Sequence, residues 1–231
     1  NAVNATALAV REKALSVASD LLQAPVEALD IVSGVVMVAD NPSGPSVTLG
    51  EVAEALEPES KTRGERRPYL SAEEWFYTDH QTYSYGMQIA QVAVDGGTGE
   101  VKIERYFIAY DIGRAINPRM VEGQLIGGLA QGIGGTFFEE FLYDERGEPL
   151  SVTFMDYLLP TLREVPVPEL MLKEDAPSSR NPLGIKGAGE SGITGTPGAI
   201  AAAIDQAIGR SGAITQIPIT PQRLKKILDE R

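Results

Sequence analysis

Gly184-Ile185-Lys186-Gly187-Ala188-Gly189-Glu190-Ser191-Gly192 decides between two folds. Gly187, Gly189 and Gly192 spell a literal G-x-G-x-x-G, the mark of a dinucleotide-binding parallel sheet. That mark follows a buried strand, opens a helix at once and is answered by an acid about 20 residues on. None of this holds here. Asn181-Pro182-Leu183-Gly184 is no strand, and the next helix signal waits for Thr196-Pro197. The next acid is Asp205, 13 positions beyond Gly192. The stretch reads instead as a glycine-rich loop over residues 182–195 that carries one carboxylate.

The elements around it are mixed. Downstream, Thr196 as cap, Pro197 at the first position and Gly209 just past the end punctuate a helix. Thr220-Pro221 opens a short last helix with Leu224, Ile227 and Leu228 inward. Upstream, residues 170–173 read as a strand, residues 154–159 as an apolar segment and residues 145–149 as a turn. Asn117-Pro118 starts a helix running to about Phe141. It holds Gly123, Gly127, Gly128, Gly132, Gly134 and Gly135. Each interior glycine costs about 0.5–1 kcal/mol relative to alanine, so a close backbone or a ligand must compensate. Glu122, Gln124, Gln131, Glu139 and Glu140 argue against a membrane helix.

Residues 86–111 form a hairpin around Asp95-Gly96-Gly97-Thr98-Gly99-Glu100. Residues 57–71, rich in charge, Pro and Gly, are a surface loop or linker. Thr48 caps a short helix through Leu56. Residues 29–38 are a short hairpin turning at Ser33-Gly34. Residues 5–22 are an amphipathic helix with Val10, Ala14, Val17 and Leu21 on one stripe, and Leu8, Leu15 and Leu22 beside it. Strands and helices without strict βαβ alternation predict an α+β fold, mixed sheets with packed helices. The sub-regions are 1–56, a linker or loop at 57–85, and 86–231.

Composition narrows the function. The chain has 231 residues and a net charge of −12, which argues against a nucleic-acid groove or a polybasic membrane surface. No apolar run is long enough for a membrane span. A small anionic group can still be held by backbone N–H groups. With no cysteine, the chain supplies no disulfide, thiolate metal site or iron–sulfur ligand. The single histidine, His80, cannot build a zinc site and reads as a surface or loop residue.

The chemistry therefore centres on Glu190. Glycines on both sides let another group approach, and a carboxylate in a tight, partly desolvated pocket becomes a useful base near neutral pH. On these residues alone, a surface glutamate is the commoner outcome. Lys186 orients Glu190 or a phosphate, or is solvated. Arg114 makes a subunit contact or faces solvent. Glu139 and Glu140 are adjacent on a helix and point in different directions, so they read as surface or capping residues.

Four stretches together resemble the molybdopterin-binding large subunit of the xanthine dehydrogenase, aldehyde oxidase and aerobic carbon monoxide dehydrogenase family. They are the Gly184–Gly192 loop quoted above; Asp111-Ile112-Gly113-Arg114-Ala115-Ile116-Asn117-Pro118; Gly123-Gln124 and the glycine helix ending in Glu139-Glu140; and Phe154-Met155-Asp156-Tyr157-Leu158-Leu159-Pro160-Thr161. The hairpin with Asp95 and Thr98-Gly99-Glu100 agrees. The resemblance spans nearly the whole chain, 1–231, as the C-terminal part of that subunit.

What the resemblance implies is a molybdenum hydroxylase, active only with companion subunits. Its molybdenum is held by a pterin dithiolene and not by a protein ligand, so no residue here is a metal ligand. Glu190 is implied as the base toward the molybdenum-bound hydroxide, which attacks an electron-poor carbon while hydride passes to the sulfido ligand. Gln124, Gly187, Ala188 and Gly189 are implied at the molybdopterin, in its simple or its cytosine dinucleotide form. The implied partners are a companion N-terminal molybdopterin-binding chain, a [2Fe–2S] subunit and an FAD subunit, in the cytoplasm. Ser191-Gly192-Ile193-Thr194-Gly195 differs from the carbon monoxide enzymes, which points to an aldehyde or N-heterocycle substrate. The alternatives are a carbon monoxide dehydrogenase-like large subunit and a non-catalytic structural or assembly fragment.

Overall fold

A 21-residue helix, α1 (Ala2–Leu22), opens the first of two units, Asn1–Asp79 and the remainder from His80, in this computed structural model, which describes residues 1–230. The helix packs by Ala14, Leu15, Val17 and Ala18. Leu8 is 53% exposed and Leu21 39%, so the expected stripe is only half right: the buried face is a short patch of small residues near the middle. Gln23 takes the left-handed conformation and ends the helix before Pro25.

After a 3₁₀ turn at Val26–Ala28 come β1 (Leu29–Val32), β2 (Val35–Val38) and β3 (Ser46–Thr48), an antiparallel sheet in that order. Ser33 and Gly34 both have positive φ (49° and 82°), as a two-residue hairpin turn requires. Helix α2 (Leu49–Glu54) starts with a full capping box between Thr48 and Glu51. Val36, Val47, Val52 and Leu56 close a core against α1. The charged loop after it is tied back to α1: Lys13 Nζ donates to the Tyr69 carbonyl at 2.6 Å, and Arg66 pairs with Asp20 at 2.7 Å.

The second unit is built on β4 (Tyr85–Val94) and β5 (Val101–Asp111), an antiparallel hairpin, with β6 (Glu169–Lys173) parallel to β5. Tyr106, Ile108 and Tyr110 alternate inward along β5 with strand period. Leu125, Leu129 and Ile133 of α3 (Pro118–Phe137) meet them with helix period. Ile200 and Ile204 of α4 (Thr196–Ala207) and Leu224 of α5 (Pro221–Asp229) complete one core. The fold is α+β with two small sheets, as the sequence predicts. Helix α3 ends at Phe137, four residues short of the expected Phe141.

Half of the α3 glycines have a packing reason. A Cβ on Gly128 would stand 2.7 Å from Gly192 Cα, and one on Gly132 would stand 2.5 Å from Thr196 Cβ. These two glycines, one turn apart, make the groove that receives the start of α4 and the loop before it. At Gly134 a Cβ would collide with the Glu139 carboxylate. At Gly123, Gly127 and Gly135 it would meet nothing within 4 Å.

Among the described residues, no helix is long and apolar enough to cross a membrane.

Candidate active site

The Glu190 loop is a strap held at both ends. At its first end, residues 184–186 run beside residues 112–114. Lys186 N donates to the Ile112 carbonyl at 2.9 Å, and Arg114 N to the Gly184 carbonyl at 3.1 Å. Gly113 has φ +70°, and a Cβ there would lie 2.1 Å from the Gly184 carbonyl oxygen; only glycine lets the two backbones come this close.

Under this contact lies an ion pair. Lys186 Nζ is 3.1 Å from Asp111 Oδ1, with the side chains 9% and 5% exposed. The Lys186 ammonium also stands over the Tyr85 ring. Burial pushes the Asp111 carboxyl up; the Gly113 N–H, the Lys186 ammonium and the Ala176 N–H outweigh it and hold the carboxyl below its ordinary range. Lys186 is therefore not a solvated lysine. It is a buried strut.

At its second end the strap enters the core. Ser191 is buried, and its hydroxyl lies 3.1 Å from that of Ser84. Gln88 of β4 donates to the Ser191 and Gly192 carbonyls. Thr196 departs from the expected capping role. Gly195 occupies the cap position of α4, and the buried Thr196 hydroxyl reaches the Gly192 carbonyl at 2.7 Å and Gln88 Oε1 at 3.0 Å.

Between these ends the strap is open. Gly187, Gly189 and Glu190 are exposed; Ala188 packs its methyl on the core. Among the described residues, the N–H groups of Gly187, Ala188 and Gly189 donate to nothing. The Glu190 carbonyl is occupied by Ile193 N, Thr194 N and the Thr194 hydroxyl at 2.8 Å, while the residue itself is exposed. The exposed Gln124 of α3 comes to the same place: a Cβ on Gly189 would lie 3.7 Å from Gln124 Oε1. The structure thus brings Gln124 to the backbone of Gly189, the residue before Glu190.

This stretch of the strap, with Gln124, fits a pterin-type cofactor in chemistry. It offers successive free N–H donors, a side-chain amide and room where a Cβ would meet no atom. No cluster of three or more metal-ligating side chains exists among the described residues.

Sequence reasoning missed Gln88 and Asp111 as structural parts of this site. Asp111 had a signal, being an acid at the end of an apolar strand, where a lone charge needs a partner. Gln88 sits in an ordinary strand pattern and had none. Elsewhere, Glu139 and Glu140 lie beyond the end of α3 and are half-buried, not surface residues of a helix: Glu139 accepts from the Tyr157 hydroxyl at 2.9 Å and Glu140 pairs with Arg223.

The model of the molybdopterin cofactor-binding domain family matches residues 1–166. The gamma subunit of the 6-hydroxypseudooxynicotine dehydrogenase complex from Paenarthrobacter nicotinovorans is 39% identical over 96% of this chain and 28% of its own length. Quinoline 2-oxidoreductase from Pseudomonas putida 86 superposes with a TM-score of 0.81 at 34% identity, over 97% of this chain and 29% of that one. Carbon monoxide dehydrogenase from Oligotropha carboxidovorans gives a TM-score of 0.84 at 30% identity, over 96% and 27%. The fold and these similarities define a domain of the molybdenum oxidoreductases. The chain belongs to the molybdopterin cofactor-binding family. It spans little more than a quarter of the length of these relatives.

Proposed function

We propose that this chain forms the glutamate-bearing wall of a molybdenum hydroxylase that inserts water-derived oxygen into a C–H bond of an aldehyde or an N-heterocycle, with Glu190 as the base. The observation that carries this reading is the strap itself: both ends are pinned, and its middle presents an uncommitted carboxylate beside free N–H groups. The cofactor, when bound, supplies an oxygen nucleophile and a two-electron sink. The chain's part is to hold and to deprotonate. Glu190 takes the proton that the nucleophile must lose. The N–H groups of Gly187, Ala188 and Gly189, with the Gln124 amide, hold the cofactor's polar edge. The buried Asp111–Lys186 pair fixes the strap's first end, so the carboxylate is aimed before substrate arrives.

An N-heterocycle substrate is supported by the similarity to an enzyme of quinoline, itself an N-heterocycle. Carbon monoxide is the competing substrate, favoured by the equally close superposition on its dehydrogenase. The rest of the cofactor site falls to a companion molybdopterin-binding chain, and electrons leave through an iron–sulfur subunit and an FAD subunit.

Glu190→Gln in the assembled complex tests the base. The expected result is a fall in kcat of at least about 100-fold with molybdenum content unchanged. Turnover within a few fold of the parent would contradict the assignment.

A further inference from the structure

The second end of the strap converges on one side chain. Gln88 Nε2 donates to the Ser191 carbonyl at 2.9 Å and to the Gly192 carbonyl at 3.1 Å. Its Oε1 accepts from the Tyr106 hydroxyl at 2.6 Å and, at 3.0 Å, shares the single Thr196 hydroxyl proton with the Gly192 carbonyl, which lies nearer at 2.7 Å. A primary amide has two N–H donors and two acceptor lone pairs. Both donors and one acceptor position are filled and the second acceptor position is shared, and these contacts join β4 to β5, to the strap and to α4. The amide's orientation follows from its partners, because two carbonyls can only accept and so must face the NH₂.

Two neighbours hold this amide in place. A Cβ on Gly195 would lie 3.1 Å from Gln88 Cδ, so the glycine backbone rests against the amide. Tyr106 is buried, and burial pushes its phenol up to about 12, so it remains a donor across the whole neutral range.

We propose that Gln88 is a positioning residue for Glu190. Its amide fixes the two peptide carbonyls that directly follow Glu190, and the Thr194 hydroxyl and the Ile193 and Thr194 N–H groups fix the Glu190 carbonyl itself. Together they set the direction in which the otherwise untethered carboxylate leaves the backbone. The inference rests on the reading of Glu190 as the base. A misplacement of about 1 Å in such a group costs on the order of 100-fold in rate.

The test uses the assembled complex. Gln88→Glu keeps the shape and still accepts from both hydroxyls, but it can no longer donate to the two carbonyls. The expected result is a kcat lowered about 10- to 100-fold with KM and molybdenum content little changed. The acid limb of the kcat pH profile should move. Amide hydrogen exchange should quicken at residues 191–194 and not in β5. Tyr106→Phe, which removes one anchor of the amide and leaves its donors, should move the same readings less; it decides the matter if Gln88→Glu does not assemble. A lowered melting temperature with kcat, pH limb and strap exchange all unaltered would reduce Gln88 to a packing residue and overturn the inference. Glu190→Gln run alongside separates the two failures. An active Glu190→Gln complex sinks the base assignment and this inference with it, whereas an inactive one beside an unaltered Gln88→Glu complex sinks this inference alone.

Discussion

Asp111 and Lys186 bear the strap's first end at the scale of single residues. Two charges this little exposed are stable only as a pair with their remaining bonds satisfied, and Asp111 accepts from Gly113 N and Ala176 N, both at 2.9 Å, as well as from Lys186. Lys186→Met leaves the carboxylate without its cation and should cost about 3 kcal/mol, read from denaturant unfolding. A change below about 0.5 kcal/mol would mean that the pair is solvated and incidental. The sign with pH follows from the lowered carboxyl of Asp111. Its contribution is complete above the unfolded value of about 3.9 and is lost as pH falls through the lower folded value. Asp111→Asn should therefore be less stable at neutral pH. Its stability should also fall less steeply than the parent's below about pH 4.

Among the elements, α3 and α4 make the clearest statement about glycine. Gly128→Ala places a methyl against the Gly192 Cα at 2.7 Å and the Ile193 N at 2.9 Å. Neither backbone atom can yield easily. The variant should lose about 1–3 kcal/mol despite the gain of up to about 1 kcal/mol in helix propensity. Gly135→Ala meets open space in this chain and should be neutral or more stable by about 0.5–1 kcal/mol. Equal shifts of the two unfolding midpoints would refute the close-approach account.

Most of these elements are legible from local signals. Asn117-Pro118 and Thr220-Pro221 start helices where the sequence places them, with Asn117 accepting from Met120 N at 3.2 Å and Thr220 from Arg223 N at 3.3 Å. Ser33-Gly34 turns a hairpin. What escapes is decided by contacts distant in sequence. Thr196 reads as a cap because Pro197 follows it, yet Gly132 and Gln88 leave a pocket for its hydroxyl, and the hydroxyl goes inward. Lys186 reads as solvated because lysines usually are; its burial depends on Asp111, 75 residues earlier. In the candidate site, Glu190 and Gln124 are singled out through the family resemblance, and the approach of Gln124 to Gly189 is visible only in three dimensions.

At the scale of the whole molecule, the proposed site is open to solvent in this structure. Glu190 and Gln124 are both exposed, and the relatives are more than three times as long. Purified alone, the chain should retain little molybdenum; a full equivalent of metal in the isolated chain would show that the remaining cofactor loops are not needed. The account stands or falls on what the complete assembly contains, so its most direct test is elemental mass spectrometry of the complex that co-purifies with this chain. A molybdenum hydroxylase should give about one molybdenum and about four irons per chain, the complement of two [2Fe–2S] clusters. An intact complex without molybdenum would contradict the account, leaving a scaffold of the same fold and a glutamate with no reaction to serve.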